Sequence, residues 1–283
     1  MNINSGVQNI GTGNLTIGDG NRIGSTVDHD ETIAGQADIG VITVLSSEAS
    51  AAIGVLDDAY TARADGVRVH RGHIGNAAVV VTRAERQGNR STGPSFQLLR
   101  THYRPGVIVV MGIGGGIHSD VQPGDVVIGQ EIVYYDLRKE TATGVLRRSE
   151  GHQVPAWVRR EVNDFFTDHG EPYTLPGTAA KALAGPLGSG EAVVAHSDSQ
   201  IRHHLAVVND KILALDMETG GLALAFHTQT GEPKTSGWLT IRGISDNADE
   251  NKDDTHHQIA ADNAAAVFRE LVPYLVDGLN HQR

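Results

Sequence analysis

Short, mostly apolar segments recur along this chain from residue 38 onward, and they restrict its fold more than any other feature. Ile39–Leu45 and Val107–Met111 are apolar runs of the length that is typical of strands buried on both faces. Helical patterns separate such runs, as over Ser95–Tyr103 and the long amphipathic stretch Ala260–Leu279. Strands that alternate with helices predict a three-layer α/β/α sandwich around a central mixed sheet.

The same patterns predict most of the remaining elements. The predicted strands and hairpins are Val67–His70 with Ala77–Thr82, Asp125–Gln130, Ile212–Leu215 and Trp238–Ile241. The predicted helices are Ser47–Leu56, Ser199–Val208 and Gly220–His227. Residues 136–165 are polar and predict an excursion from the sheet that ends in a helix.

Charge and cysteine content exclude several classes of function. Lysine and arginine number 23 against 34 aspartates and glutamates, a formal charge of −11 that argues against binding nucleic acid over a broad surface. Cysteine is absent, so there is no thiolate nucleophile and no disulfide framework. No apolar stretch approaches the length of a membrane span, and we expect a soluble, cytoplasmic protein without membrane contact.

Residues 1–35 differ in composition from residues 36–283, and we treat them as a separate tail before one catalytic domain. Ile-Gly recurs at positions 10, 17 and 23, and Gly-x-Gly-Asn at 11–14 is echoed at 18–21. Single β-branched residues between Gly/Asn turns cannot form a core alone, but they can stack in register with other copies. The alternative is a flexible tail, which is the usual behaviour of such composition.

Three acidic residues follow predicted strands at separated points of the chain: Glu48, Glu218 and Asp246. Ligands of open α/β sheets bind beyond the carboxyl ends of strands, so we expect these carboxylates to share a site. Without a cluster of metal ligands, they fit acid–base chemistry on a sugar. Each also has an ordinary interpretation, because Glu218 suits a helix N-terminus and Asp246 suits an N-cap.

The glycine-rich segment Gly112–Gly116 follows a strand but does not match a dinucleotide-binding fingerprint. The third fingerprint glycine would fall at position 117, which is Ile117. The segment instead predicts either a close approach of a ligand to the backbone or a tight turn.

Five segments in the same order resemble the nucleoside phosphorylase superfamily, and within it the purine nucleosidases that hydrolyse methylthioadenosine and adenosylhomocysteine. The resemblance covers roughly residues 38–280. It rests on Ile39–Glu48, Gly112–Gly116 with Pro123–Val127, Gly190–Val194, Asp216–Glu218 and Ile244–Asp249. The resemblance implies the central mixed sheet of that superfamily and the cleavage of a purine N-glycosidic bond without metal or redox cofactor.

Carried over by position, the resemblance implies a role for each site residue. Asp246 would protonate N7 of the purine, Glu48 would deprotonate the attacking water, and Glu218 would hold the ribose hydroxyls. The resemblance also implies a substrate-binding set: Met217, Asp216, Arg242, Ile113, Gly114, Val193 and Val194. Val193 stands where the small hydrolases stack an aromatic ring on the base, and His256 is a candidate replacement.

Glu48 would repel inorganic phosphate, which favours hydrolysis over the alternative of a phosphate-dependent phosphorylase. Arginines at three nearby positions form either a solvated face or a binding site for substrate phosphates, which would make the substrate a nucleotide. They are Arg83, Arg86 and Arg90. The basic residues of the polar excursion would then close over those phosphates. They are Arg138, Lys139, Arg147 and Arg148.

The tail resembles the short amyloid signalling motifs that couple nucleotide-binding immune receptors to effectors. That resemblance implies a defence effector that depletes adenine nucleotides such as ATP, with self-assembly or receptor pairing through residues 1–35. Relatives of the catalytic domain imply a homo-oligomer. A different class also fits, namely a filament-forming interaction protein whose nucleotide-binding domain is inactive.

Overall fold

The computed structural model describes residues 35–251 and 255–282, together with the backbone of three short strands within residues 8–24. Those three strands are β1 (Gln8–Ile10), β2 (Asn14–Ile17) and β3 (Asn21–Gly24), and they pair antiparallel in that order. The side chains of the Ile-Gly repeat lie outside the described residues, so the stacking proposed for them stays a prediction.

The remaining strands form one mixed sheet with the order β10-β9-β12-β13-β8-β4-β7-β6-β5, to which β11 and β14 add. Their bounds are β4 (Ile39–Thr43), β5 (Asp57–Ala64), β6 (Val67–Ile74), β7 (Ala77–Arg83), β8 (Val107–Gly116), β9 (Val126–Thr141), β10 (Gly144–Gln153), β11 (Tyr173–Thr174), β12 (Lys181–Ser189), β13 (Ala214–Asp216) and β14 (Gly237–Asp246).

Helices cover both faces of this sheet. They are α1 (Ser46–Gly54), α2 (Asn89–Tyr103), α3 (Ala156–His169), α4 (Gln200–Val208), α5 (Thr219–His227) and α6 (His257–Asn280). Helices α1 and α3 pack against α6 on one side, while α2 packs against α5 on the other. The predicted three-layer α/β/α arrangement with a central mixed sheet is therefore confirmed. Among the described residues, no helix is long and apolar enough to cross a membrane.

Part of the sheet closes on itself. Strand β14 lies parallel to β8 and antiparallel to β9, while β9, β12, β13 and β8 are successive neighbours. These five strands therefore form a closed circuit, in which each strand pairs with a neighbour on both sides. Every residue of β4 and β14 is buried, as their largely apolar sequences require.

Several predicted boundaries are wrong, and each error has a physical reason. Strand β8 continues through Gly116 instead of turning at Gly112, because its glycines pair with β13 and β14. The predicted excursion over residues 136–165 begins as the outer, exposed and polar part of the β9–β10 hairpin, and the helix predicted at its end is α3. Strand β5 lies at the sheet edge with an exposed, polar sequence that gave no strand signal.

Candidate active site

A cavity of about 260 Å³ opens where β4, β8, β13 and β14 end. It is lined by Val44, Leu45, Glu48, Gln87, Ile113, Gly114, Gly115, Ala192, Val193, Val194, Leu215, Asp216, Met217, Glu218, Ser245, Asp246, Ala248 and His257. The three acids that the sequence singled out, far apart along the chain, thus meet at one cavity. Among the described residues, no cluster of three potential ligands is arranged to hold a metal ion.

Glu48 lies in the first turn of α1 and is 2% exposed. Its Oε2 accepts hydrogen bonds from the backbone N–H groups of Val44 and Leu45, both at 2.8 Å. Its Oε1 accepts one from Ile113 N–H at 2.9 Å. A Cβ at Gly112 would lie 2.5 Å from Oε1, so the close approach of β8 to this carboxylate requires glycine there.

Asp216 and Glu218 flank the buried guanidinium of Arg242, which is 1% exposed. Arg242 donates through Nε to Asp216 Oδ2 at 2.9 Å and through Nη2 to Glu218 Oε2 at 3.2 Å. The second oxygen of Glu218 accepts a hydrogen bond from Gly88 N–H at 3.0 Å. A buried charge that is paired and hydrogen-bonded in this way is held in one orientation.

Burial dominates the electrostatics of Glu218 and raises the pKa of its carboxyl. Arg242 and the Gly88 N–H act in the opposite direction, and the negative charge of Asp216 adds to the increase.

Glu218 reaches the cavity, but by a different route from the one that the sequence predicts. Strand β13 is parallel to β12 but antiparallel to β8, so its carboxyl end points opposite to those of β4, β8 and β14, which run parallel to one another. The chain turns back along β8, and Glu218 becomes the N-cap of α5. Closure of the strand circuit, which no local pattern reveals, brings Glu218 to the other acids.

Asp246 is the last residue of β14 and is 5% exposed. Its Oδ2 accepts a hydrogen bond from Ser245 Oγ at 2.8 Å, and its Oδ1 accepts one from Ala248 N–H at 2.8 Å. The carboxyl group is thereby fixed at the cavity by its own strand end and loop.

Most of the predicted substrate-binding residues line the cavity, including Met217, Ile113 and Gly114. Val194 is buried there, whereas Val193 is 62% exposed at the opening. Arg242 lies directly behind Asp216 and Glu218 rather than at the cavity surface.

The predicted arginines do not line the cavity. Arg83, Arg86 and Arg90 are all exposed. Arg83 is nonetheless close to the site, because its Nε donates to the carbonyl of the lining residue Val44 at 2.7 Å. Gln87, which lies between Arg86 and Gly88 in the chain, does line the cavity.

Sequence reasoning missed several residues of the site. His257, and not the suggested His256, lines the cavity. The N–H of Gly88 reaches Glu218 from a residue with φ of 105°, a left-handed geometry that favours glycine. The next residue, Asn89, joins three elements by accepting hydrogen bonds from Ser189 Oγ and Gly221 N–H and donating to the Gly190 carbonyl. The glycine beside a polar residue was the only local signal for this junction.

The fold is an α/β sandwich around a mixed sheet, with an acidic cavity at its strand ends. Residues 38–273 match the Phosphorylase superfamily, and the chain belongs to that family.

Two curated relatives and one solved structure illustrate the similarity. ATP nucleosidase Cap17 of Escherichia coli (strain KTE188) is 25% identical over 206 residues, covering 66% of this chain but only 40% of that protein. The 5'-methylthioadenosine/S-adenosylhomocysteine nucleosidase of Psychromonas ingrahamii is 25% identical over 239 residues, covering 83% of this chain and 97% of that protein.

The corresponding nucleosidase of Colwellia psychrerythraea 34H, solved with adenine, superposes with a TM-score of 0.69 at 18% identity. That match covers 85% of this chain and 96% of the other, and it establishes the likeness of fold.

Proposed function

We propose that this protein hydrolyses the N-glycosidic bond of a purine nucleoside or nucleotide and releases the base. The observation that carries the proposal is the meeting of Glu48, Glu218 and Asp246 at one cavity. The names of the curated relatives, an ATP nucleosidase and purine nucleosidases, support it.

In this proposal Asp246 is the general acid. Breaking an N-glycosidic bond leaves the purine as an anion unless a proton reaches N7, and a carboxylic acid beside N7 supplies it. The Ser245 hydroxyl and the Ala248 N–H hold the carboxyl of Asp246 in place. The carboxyl group is therefore already oriented for proton transfer.

Glu48 is the proposed base for the attacking water. Three backbone N–H groups donate to its oxygens and hold the carboxylate in one orientation at the cavity, where it can accept a proton from water. The same negative charge stabilises the positive charge that develops on the sugar.

Glu218 and Met217 are the proposed sugar-binding residues. The oxygens of Glu218 are acceptors suited to paired ribose hydroxyls, and Arg242 holds the carboxylate from behind. Met217 lines the same cavity and offers a polarisable apolar surface to the sugar ring.

The lining favours water over phosphate as the nucleophile. No lysine or arginine is among the described residues that line the cavity, whereas an inorganic phosphate would need cationic partners. The buried carboxylate of Glu48 would repel phosphate at the same place. Hydrolysis is therefore preferred to phosphorolysis.

An adenine nucleotide, with ATP as the leading candidate, is the substrate class that we propose. Gln87 lies at the cavity and Arg83 contacts its rim, so a phosphate chain that leaves the cavity on this side would meet the arginines of segment 83–90. The similarity to an ATP nucleosidase supports this choice.

We also propose that residues 1–35 recruit this enzyme as a defence effector, by self-assembly or by pairing with a receptor, and that the catalytic domain works as a homo-oligomer. The Ile-Gly repeat supports the first part. The three antiparallel strands traced by the backbone within residues 8–24 are compatible with strand-based assembly.

The test is the release of free base. Purified protein is incubated with ATP, AMP, adenosine and methylthioadenosine, each with and without inorganic phosphate, and adenine is followed by chromatography. We expect adenine without phosphate, fastest from ATP. Release only with phosphate would identify a phosphorylase, and no release from any substrate would support the inactive interaction protein instead.

A further inference from the structure

Arg202, on helix α4, holds the loop that follows Asp246. Its Nη1 donates to the carbonyls of Asn247 at 2.8 Å and Ala248 at 3.3 Å. Its Nη2 donates to the carbonyl of Ile117, beyond the end of β8, at 3.4 Å. One guanidinium thus ties the loop after β14 to the segment after β8.

The loop that Arg202 holds also orients the carboxyl of Asp246. Ala248 is 2% exposed, and its N–H donates to Asp246 Oδ1. Its φ is 50°, in the left-handed region that alanine rarely adopts. The conformation that aims this N–H at the carboxylate is therefore disfavoured in itself and depends on outside support.

Apolar packing and hydrogen bonds both support the loop on the α4 side. Ala248 belongs to a small buried cluster with Ile201 and Leu205 of α4. A cavity of about 230 Å³, lined by Arg202 together with Ile117 and Ile212, borders this cluster. The guanidinium of Arg202 adds hydrogen bonds to the loop carbonyls that apolar packing cannot replace. Loss of the guanidinium would leave the Asn247 and Ala248 carbonyls to water and the loop free to relax.

We propose that Arg202 is a positioning residue for the general acid: it contacts no substrate, and it keeps the Asp246 carboxyl at the height of the purine N7. This inference rests on the proposed hydrolysis, because it assigns Arg202 a part in the proton transfer from Asp246.

A double-mutant cycle tests the inference with adenine release from the best substrate. Arg202→Met keeps the aliphatic stem and removes the donors, and we expect kcat to fall by about tenfold to a hundredfold with little change in KM. In the Asp246→Asn background, which has no proton to place, the same change should cost less than about twofold. Equal losses in both backgrounds would overturn the inference.

A second substrate gives an independent readout. The leaving group of p-nitrophenyl riboside departs as a stable phenolate without protonation, so Arg202→Met should retain nearly full activity on it. A parallel loss on the purine and phenyl substrates would indicate a general structural role and contradict the proposal.

The matched control is Arg269→Met. Arg269 is a half-buried helix arginine that donates to the Val55 carbonyl and pairs with Asp57 far from the cavity. We expect this variant to keep full activity on both substrates.

If the wild-type protein releases no base, the proposed function fails. If it releases base and the cycle is additive, only the role of Arg202 fails.

Discussion

At the scale of single residues, the candidate site consists of carboxylates whose surroundings differ. Glu48 accepts three backbone N–H groups, Glu218 is paired with a buried arginine, and Asp246 is held by its own loop. Carboxyl groups in different environments can take different parts in one reaction. The proposed division into base, sugar ligand and acid gives one part to each of these carboxylates.

Asp246→Asn should remove the transferable proton while the shape of the side chain is kept. The amide oxygen still accepts the Ala248 N–H, but the side chain no longer carries a transferable proton. We expect kcat for adenine release to fall by about 10²–10⁴-fold with the fold intact. Asp249→Asn, three residues further along, should leave the rate unchanged. Full activity of Asp246→Asn would contradict the proposed role.

Glu218 should make stability depend on pH in a direction fixed by its raised pKa. A carboxyl whose pKa is higher in the folded than in the unfolded state binds its proton more tightly when folded. Its contribution to the free energy of unfolding is therefore complete below the unfolded pKa and is lost as the pH rises through the folded pKa.

Urea unfolding of the wild type and of Glu218→Gln across that pH range measures the effect. The wild type should lose stability relative to Glu218→Gln as the pH increases. A difference between the two proteins that stays constant with pH would contradict the prediction.

The sequence indicated the three acids, Arg242 and half of the cavity lining, but not the backbone groups that hold the acids in place. Gly88 and Glu218 are 130 residues apart in the chain and meet through a hydrogen bond, which no spacing rule indicates. The exposure of Arg86 and Arg90 could not be predicted either, because the sequence pattern of a charge cluster is the same whether the side chains face a ligand or water.

At the scale of elements, the buried strands were predicted well and the exposed ones poorly. The apolar runs in β4, β8 and β14 signal burial on both faces. Strand β5 is polar at the sheet edge and gives no apolar periodicity. Strand β12 is an inner strand, but it contains Gly185 and Pro186 beside a register shift, so it also has no regular strand pattern.

Packing of α6 on β14 should depend on the absence of a side chain at Gly243. A Cβ there would overlap the backbone carbonyl of Ala260 on α6. We expect Gly243→Ala to lower the free energy of unfolding by about 1–3 kcal/mol, measured by urea unfolding. Gly54→Ala is the control, since a Cβ at that helical position meets nothing within 4 Å. Equal stability of the two variants would contradict this account.

At the scale of the whole molecule, the tail and the catalytic domain are expected to act separately. The family match covers residues 38–273 and leaves out the repeat. The domain carries all of the described cavity lining. Catalysis should therefore not need residues 1–35, whereas assembly should.

Removal of residues 1–35 should leave adenine release within about twofold of the full chain and abolish fibre formation, followed by dye binding and electron microscopy. A full-length variant with Ile10, Ile17 and Ile23 replaced by serine should behave like the truncation. Fibres formed by the truncated chain would show that assembly resides in the catalytic domain.

The anchoring of Glu48 affects how inactive relatives of this chain should be recognised. Its oxygens join the end of β4 to β8 through three backbone N–H groups, so an apolar replacement would leave one buried and two partly buried donors without their acceptor. A relative that has lost its activity would still need this glutamate for a stable fold. The presence of Glu48 alone is therefore weak evidence for activity. Asp246, whose described carboxyl hydrogen bonds stay within residues 245–248, is the better indicator of an active enzyme.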